Sequence, residues 1–159
     1  MNLYIVFVVA DAEYALPVTE VLQMDAYTGA TAIPGAPPYV AGIVSVRGAV
    51  VPVVDLRVRF GLAPATLTPD TRIVVVEFEG RVLALRVDRA REVVKLDESK
   101  HQSAPSAIAE RSRGFVRAVH AVGSRLLLLL ELSQVLGENS HDDQQHRLLP
   151  DSRQLALPD

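Results

Sequence analysis

Cysteine and tryptophan are absent from this chain of 159 residues, and aromatic residues make up only 5% of it. Without cysteine the chain has no disulfide, no thiolate nucleophile and no cysteine-ligated metal site. The scarcity of aromatic side chains also argues against a surface on which nucleic-acid bases would stack. The apolar residues, 49% of the chain, are mostly Val, Leu, Ile and Ala, a composition typical of packed β-structure.

The chain also lacks an excess of positive charge, because its 16 Lys and Arg are outnumbered by 19 Asp and Glu. Nucleic acid is therefore not an expected partner. The five leucines at 126–130 fall far short of the ~20 apolar residues of a membrane helix. The apolar stretch at 3–10 has no basic residue before it, unlike a signal peptide. We expect a cytoplasmic protein with no direct membrane insertion.

Motifs for catalysis or metal binding are missing as well. His101 and His120 lie in separate segments, and His141 and His146 are five residues apart, so no spacing fits a helical pair of metal ligands. No serine stands on a recognisable nucleophile turn. We expect no catalytic residue, no metal and no cofactor. A small barrel enzyme or ligand-binding domain stays open as a distant alternative, which would require a polar pocket with perturbed pKa values.

The most informative segment is residues 42–62, GIVSVRGAVVPVVDLRVRFGL. Two apolar runs of β type meet at the tight pair Arg47-Gly48, which predicts a hairpin. An arginine on a rigid turn suits recognition of a carboxylate or a backbone carbonyl on a partner. An ion pair of Arg47 with Asp55 or a neighbouring acid inside the chain is the competing interpretation.

A short helical turn is predicted directly after this hairpin. Asp55 is expected to cap it, in the acidic-aliphatic-basic trio Asp55-Leu56-Arg57. Leu56 and Phe60 are four residues apart, so one turn places both on the core. Gly61 is expected to end the turn.

Three segments in the first half match three in the second half, in the same order. Residues 14–18 match 83–87 at an offset of 69, residues 42–44 match 114–116 at 72, and residues 55–61 match 131–137 at 76. We interpret this as two copies of a five-strand unit, each ended by a helical turn. Units of this size usually curl into small barrels. The prediction is a mainly all-β protein of two five-stranded barrels packed side by side, with short helical turns and an apolar groove between the barrels.

The predicted domain bounds follow the repeat. A first barrel lobe spans residues 1–68, a second spans 69–137, and a polar C-terminal tail spans 138–159. The first strand is apolar on both alternating sets of residues, so we expect both of its faces to be covered.

The chain resembles the CheW family, the coupling proteins of bacterial chemotaxis-type signalling arrays. The likeness covers roughly residues 3–137, and its motifs are Gly42, the turn Val46-Arg47-Gly48, the run Val51-Pro52-Val53-Val54, and Asp55-Leu56-Arg57 through Phe60-Gly61-Leu62. It implies two five-stranded SH3-like barrels with a groove between them. It also implies a non-enzymatic adaptor that binds the regulatory domain of a CheA-type histidine kinase and the coiled-coil tip of a chemoreceptor.

The resemblance also suggests where partners bind. Val21 and Gln23 lie where the family places an interaction strand, although Val21 fits a core position equally well. The expected partner-binding residues are Arg47, Gly42, Val21, Gln23, Val46 and Gly48. The two glycines are expected to serve the backbone first, through positive φ or close approach, and partner contact second.

Two departures from the family pattern bear on the pathway. Ser45-Val46 stands where members commonly have Asn-Leu, and Gln23 stands where many carry an acidic residue. The signalling pathway that this adaptor would serve is therefore left open between swimming chemotaxis and a parallel system such as pilus motility. The alternative function is a CheW-like regulator that competes for, or tethers, one partner only.

Overall fold

A computed structural model describes residues 1–137, apart from the side chain of Arg111. The predicted tail, residues 138–159, lies outside the described residues. The strands are β1 (Asn2–Val9), β2 (Ala12–Pro17), β3 (Val21–Ala26), β4 (Val40–Val46), β5 (Ala49–Asp55), β6 (Arg72–Phe78), β7 (Arg81–Val87), β8 (Arg89–Leu96), β9 (Gln102–Ser103), β10 (Val116–Val122) and β11 (Arg125–Leu130). The helices are α1 (Leu56–Arg59), α2 (Ser106–Arg111) and α3 (Leu132–Val135). None of the helices in this part of the chain has the length and apolar character needed to cross a membrane.

The strands form two sheets, as the mainly all-β prediction requires. One has six strands in the order β8-β1-β2-β11-β10-β9, and the other has five in the order β3-β6-β7-β5-β4. The two-lobed SH3-like fold class is confirmed. The six-stranded sheet exceeds the predicted count by the two-residue β9, and each sheet keeps two edge strands rather than closing into a complete barrel.

The two copies of the predicted repeat exchange their first hairpins. The β1-β2 hairpin lies between β8 and β11, whereas the β6-β7 hairpin lies between β3 and β5. Both insertions end in a parallel pair, with Val53 opposite Ala84 and Leu129 opposite Ala15. The repeat therefore exists in space, but each sheet takes strands from both copies.

This exchange corrects the predicted domain bounds. One sheet draws its strands from residues 2–17 and 89–130, and the other from residues 21–87. The predicted boundary between residues 68 and 69 falls inside the second of these segments. Each inserted hairpin is therefore flanked on both sides by strands of the other copy.

The strand registers also correct one of the three sequence matches. The β1-β2 and β6-β7 hairpins superimpose at an offset of 69, and the β4-β5 and β10-β11 hairpins superimpose at 76. Gly42 is therefore equivalent to Ala118, not to Gly114. Gly114 lies instead in the turn before Phe115, where it has a positive φ of 80°.

The core has three parts, which explains the double-sided apolar pattern of β1. Phe7 and Val9 pack into a central cluster with Val74 and Val76 of the other sheet. The opposite face of β1 packs within its own sheet, and a matching cluster fills the five-stranded sheet. The expectation that both faces of β1 are covered is confirmed.

The helical turn after β5 forms as predicted. Oδ1 of buried Asp55 accepts hydrogen bonds from the backbone N–H groups of Arg57 at 3.0 Å and Val58 at 3.4 Å, which caps α1. Leu56 is fully buried in the central cluster, and Phe60 packs against it. Gly61 follows with φ 85° and ends the turn.

Two arginines of this turn join it to the second copy. Arg57 donates to Asp88 at 2.8 Å, and Asp88 also accepts from the backbone N–H of Ala10 at 2.6 Å. Arg59, which is only 7% exposed, donates to the backbone carbonyls of Val135 at 2.8 Å and Gln134 at 3.0 Å. Its guanidinium therefore satisfies the Val135 carbonyl at the end of α3 and shares the Gln134 carbonyl with the backbone N–H of Gly137.

Candidate partner-binding pocket

The β4-β5 turn presents Arg47 in a defined geometry. Arg47 and Gly48 have φ values of 50° and 79°, as a two-residue type I′ hairpin turn requires, and Val46 faces Ala49 across it. Gly48 accepts this conformation without strain because it has no Cβ. The predicted hairpin is confirmed, and the turn fixes the position from which the Arg47 side chain leaves the sheet.

Arg47 lies at the rim of a surface pocket of about 290 Å³. We call this site the Arg47 pocket, and its lining residues are Leu22, Gln23, Val46, Arg47, Ala49, Val51, Val75 and Val82. Val51 and Val75 form a buried apolar floor. Leu22 is 51% exposed on edge strand β3. An apolar floor with a polar rim is typical of the centre of a protein–protein interface.

The Arg47 guanidinium is exposed and pairs with no side chain among residues 1–137. The competing interpretation, an ion pair with Asp55, does not form. Asp55 caps α1, and its other carboxylate oxygen lies 3.6 Å from the guanidinium of Arg86. The structure thus leaves Arg47 available for a partner, which stays a prediction.

Gln23 and Val21 flank the pocket in different ways. Gln23 lies on the rim, and its side-chain amide donates to the carboxylate of Asp25. Val21 is half-buried and packs against the central cluster, so the structure places it beside the pocket rather than in its lining.

Gly42 lies away from the pocket, on the far side of a bulge in β4. It is buried with φ 146°, and a Cβ at this position would lie 2.2 Å from the backbone oxygen of Thr31. Thr31 pairs with Ile43 through two backbone hydrogen bonds. The structure thus requires glycine here for backbone reasons, the first of the two roles predicted for Gly42.

Sequence reasoning missed Leu22 and Val82, which complete the pocket. Leu22 is the bulged residue of edge strand β3, since the register against β6 shifts between Val21 and Gln23. Val82 comes from the other copy of the repeat, on β7. In the sequence, Leu22 is only an apolar residue on a short predicted strand. Such a residue is as consistent with a core position as with a binding surface.

A second apolar site lies where α1, α2 and the six-stranded sheet meet. This apolar groove, of about 250 Å³, is lined by Tyr14, Phe60, Leu62, Ile108, Ser112, Phe115, Val116 and Leu128. The ring of Phe60 lies 5.1 Å from that of Tyr14 and 5.3 Å from that of Phe115, centroid to centroid. Leu62 and Ile108 remain substantially exposed. The apolar groove has walls from both copies of the repeat, but none of its lining residues lies on a strand of the five-stranded sheet, so a groove between the two barrels stays a prediction.

Two histidines that are separate in the sequence meet inside the six-stranded sheet. The rings of His101 and His120 lie edge to face at 5.0 Å, and His101 contacts Tyr4 at 5.7 Å. Burial, followed by the proximity of His120, lowers the pKa of His101. No third His, Cys, Asp or Glu completes a metal-binding group with them among residues 1–137.

Comparison with known proteins places this geometry in a family. The model of the CheW-like domain matches residues 3–140. The chain is 33% identical over 136 residues to the chemotaxis protein CheW of Bacillus subtilis, covering 86% of this chain and 87% of that protein. It is 34% identical over 131 residues to chemotaxis protein CheW of Rhizobium meliloti, covering 82% and 84%.

A solved structure agrees with these sequence relatives. The crystal structure of the scaffolding protein TtCheW from Thermoanaerobacter tengcongensis is similar with a TM-score of 0.78 and 28% identity, over 85% of this chain and 92% of that one. Chemotaxis proteins and a scaffolding protein are thus the relatives that share this sequence and fold. The protein has the role of a non-enzymatic chemotaxis adaptor, and the chain belongs to the CheW-like domain family.

Proposed function

We propose that this adaptor couples chemoreceptors to a CheA-type histidine kinase in a cytoplasmic signalling array. The Arg47 pocket binds the regulatory domain of the kinase, and the apolar groove binds the coiled-coil tip of a receptor. The observation that carries the proposal is the Arg47 pocket itself, where an exposed leucine and an unpaired arginine frame an apolar floor.

The Arg47 pocket has the features of an energetic hot spot. Arginine and large apolar anchors dominate binding energy where they are packed and shielded from water by a rim. Leu22 and Arg47 lie on opposite sides of the pocket, on β3 and on the β4-β5 turn. A folded domain that covers both would remove the exposed leucine from water and give the guanidinium a carboxylate or carbonyl acceptor.

The apolar groove suits a helical partner. Amphipathic helices bind by laying one apolar face into a hydrophobic groove. Exposed Leu62 and Ile108 stand at the edges of this groove, and a tilted series of aromatic rings forms its floor. A receptor coiled-coil tip presents the kind of surface that such a groove accepts.

Reconstitution tests the coupling role. Kinase activity in mixtures of receptor and CheA-type kinase is expected to depend on added adaptor. The wild-type protein, its Arg47→Ala variant and a control variant at another exposed arginine, Arg89→Ala, would be compared. Arg47→Ala should weaken binding of the kinase regulatory domain by about 1 kcal/mol or more and leave the melting temperature unchanged, whereas Arg89→Ala should change neither.

The groove is tested separately by Ile108→Asp. This variant should lose receptor binding and keep binding of the kinase regulatory domain, because the two sites share no lining residue. If the kinase responds to its receptor equally well without the adaptor at every concentration, coupling is the wrong function.

A second candidate function is supported by Gln23. The neutral amide at this rim position replaces the acidic residue common in the family, and Asp25 holds it through a hydrogen bond. A regulator of a parallel pathway, such as pilus motility, that competes for or tethers one partner would bind the kinase regulatory domain without restoring receptor control.

A further inference from the structure

Helix α3 is attached to both walls of the apolar groove. One wall is the turn before β10, where the backbone carbonyl of Phe115 accepts a hydrogen bond from the N–H of Glu131 at 2.7 Å. The other wall contains Phe60, directly after α1. Arg59, the residue before Phe60, donates to the carbonyl of Val135 at 2.8 Å. The last helix of the described chain therefore lies between the two walls.

The point at which the chain continues into residues 138–159 is fixed close to this groove. Val135 and Leu136 are fully buried in the central cluster, which also contains Phe115. Gly137, the last described residue, closes the turn by donating its backbone N–H to the carbonyl of Gln134 at 3.1 Å. The polar tail is thus joined to the fold beside both walls.

The sequence of the tail has two parts of different chemistry. Residues 138–147, ENSHDDQQHR, contain no apolar side chain. Residues 148–157, LLPDSRQLAL, contain four leucines, at positions 148, 149, 155 and 157. We call residues 148–157 the leucine segment. A polar spacer followed by leucines differs from a uniformly polar tail, which has no apolar surface to bury.

The spacer is long enough to bring the leucine segment to the groove. An extended chain spans at most about 3.6 Å per residue, so the step from Gly137 to Leu148 reaches up to roughly 40 Å. A flexible chain of that length has a mean span on the order of 18 Å. Tethering over such a distance gives effective concentrations in the millimolar range, so a weak contact suffices to occupy the groove.

The chemistry of the groove is complementary to that of the tail. Leu62 and Ile108 are 44% and 38% exposed at its edges. A leucine side chain between them removes apolar surface from water on both partners, which is favourable in proportion to the area buried. Arg113 follows lining residue Ser112 in the sequence, whereas the spacer carries three acidic residues and one arginine.

We propose that the leucine segment binds in the apolar groove of its own chain and competes there with the helical partner. This inference rests on the proposed function, which makes a receptor tip that partner. Its consequence is regulatory, because the apparent affinity for the receptor falls in proportion to the fraction of chains whose groove is open. Receptor binding then requires displacement of the tail.

Amide NMR of the isotope-labelled full chain tests the docking without any receptor. The fourfold variant replaces every leucine of the segment by glutamine, which keeps length and charge: Leu148→Gln, Leu149→Gln, Leu155→Gln and Leu157→Gln. It should shift the amide signals of Ser112 and Phe115 and leave that of Arg47 unchanged. A synthetic peptide of residues 146–159, added to the fourfold variant, should restore the wild-type signals.

The matched control changes the spacer of the same tail, with Gln144→Ser and Gln145→Ser, and should leave the signals of the groove unchanged. Circular dichroism and thermal melting establish that each variant is folded. Groove signals that do not respond to the fourfold change would overturn the inference, whatever the receptor does.

Titration calorimetry with a soluble fragment of a chemoreceptor coiled-coil tip tests the competition. The fourfold variant should bind this fragment at least about threefold more tightly than the wild type, and the spacer control should bind it like the wild type. Equal affinities of wild type and fourfold variant would overturn the inference alone. Groove signals that depend on the leucines, together with no receptor binding by either chain, would overturn the proposed receptor site and leave the docked tail in place.

Discussion

The Arg47 pocket and the ionic network, the ion-paired cluster of Glu13, Arg91, Glu92 and Arg125, occupy equivalent positions in the strand registers and present opposite chemistry. Both have a bulged edge strand, a two-residue hairpin turn and a floor of two buried aliphatic residues. The pocket adds an exposed leucine and an unpaired arginine, and the network adds four mutually paired charges. The difference teaches that the buried positions keep the same apolar chemistry in both copies, while a few rim positions give each face a different surface.

The largest expected effect concerns Gly42 and its counterpart Ala118. Gly42→Ala would bring a Cβ within 2.2 Å of the Thr31 backbone oxygen at a φ of 146°. Because backbone rather than a flexible side chain must move, we expect a loss of about 3 kcal/mol or more in the free energy of unfolding.

The reciprocal change, Ala118→Gly, should cost only about 1 kcal/mol, from the greater freedom of glycine in the unfolded chain. Urea unfolding followed by circular dichroism measures both variants. Equal losses at the two positions would show that the copies do not differ in backbone geometry there.

A second contrast lies between helices α1 and α3, the helical turns that end the two copies. Arg59 of α1 occupies the position that Val135 occupies in α3 at the offset of 76. Arg59→Leu would remove the donor to the buried Val135 carbonyl and one of the donors to the Gln134 carbonyl, which keeps the backbone N–H of Gly137. We expect a loss of about 3 kcal/mol, with the melting temperature lowered accordingly.

The control for this change is Arg57→Leu, one turn position away. Arg57 and Asp88 are about one quarter exposed, so losing this ion pair should cost about 1 kcal/mol or less. A larger effect at Arg57 than at Arg59 would contradict the assignment of Arg59 as the main link between the copies.

The ionic network should give its face an acid sensitivity that the Arg47 pocket lacks. The pKa of Glu13 is lowered in the folded protein, so its contribution to stability is fully present above the ordinary value of about 4.5. That contribution is lost as the pH falls through the lower, folded-state pKa.

Glu13→Gln should flatten the decline of unfolding free energy below pH 4.5. Glu79→Gln, at the exposed β6-β7 turn, serves as the control and should leave the decline unchanged. Denaturant unfolding at a series of pH values measures the unfolding free energy of each variant. An unchanged profile for Glu13→Gln would place the acid sensitivity elsewhere in the molecule.

The smallest expected effect comes from the contact between His101 and buried His120. His120 is equivalent to Val44 of the other copy, so this feature also distinguishes the two sheets. Burial and His120 lower the pKa of His101 from its ordinary value of 6.5, with Arg117 adding to the effect and Glu98 opposing it. Protonation of His101 therefore favours the unfolded chain, and stability should fall as the pH drops below 6.5 towards the folded-state pKa.

His101→Phe should remove this modest slope between neutral pH and pH 5. The variant keeps a ring against Tyr4, so its stability at pH 8 should stay close to that of the wild type. Thermal melting across this range measures the difference, and a slope that persists in the variant would assign it to another group.

Much of the secondary structure and part of the site were predictable from sequence. The hairpins, the cap at Asp55, the docking of Leu56 and the glycine end at Gly61 all appear as expected. These features depend on residues within a few positions of one another. Arg47 was predicted as a partner-binding residue for the same reason, since the turn that presents it is local, and its contact with a partner stays a prediction.

The rest of the site could not be predicted from sequence because it joins distant segments. Leu22 meets Val82 and Arg47 only because β3 pairs with a hairpin from the other copy. The sequence matches suggested contiguous lobes, since strand patterns carry no information about which copy a hairpin enters. The match of Gly42 to Gly114 was wrong because it aligned two glycines with different backbone roles.

By itself the sequence determined a β-rich repeat, the capped turn and the placement of Arg47 on a rigid hairpin, because alternation of apolar residues and turn chemistry act locally. Only the tertiary structure decided that the copies exchange hairpins, that Leu22 and Val82 line one pocket, and that Glu13 meets Arg125 across 112 residues of chain. The physical reason is that burial of double-sided apolar hairpins is satisfied between the copies, and that long-range packing alone brings the rim residues together.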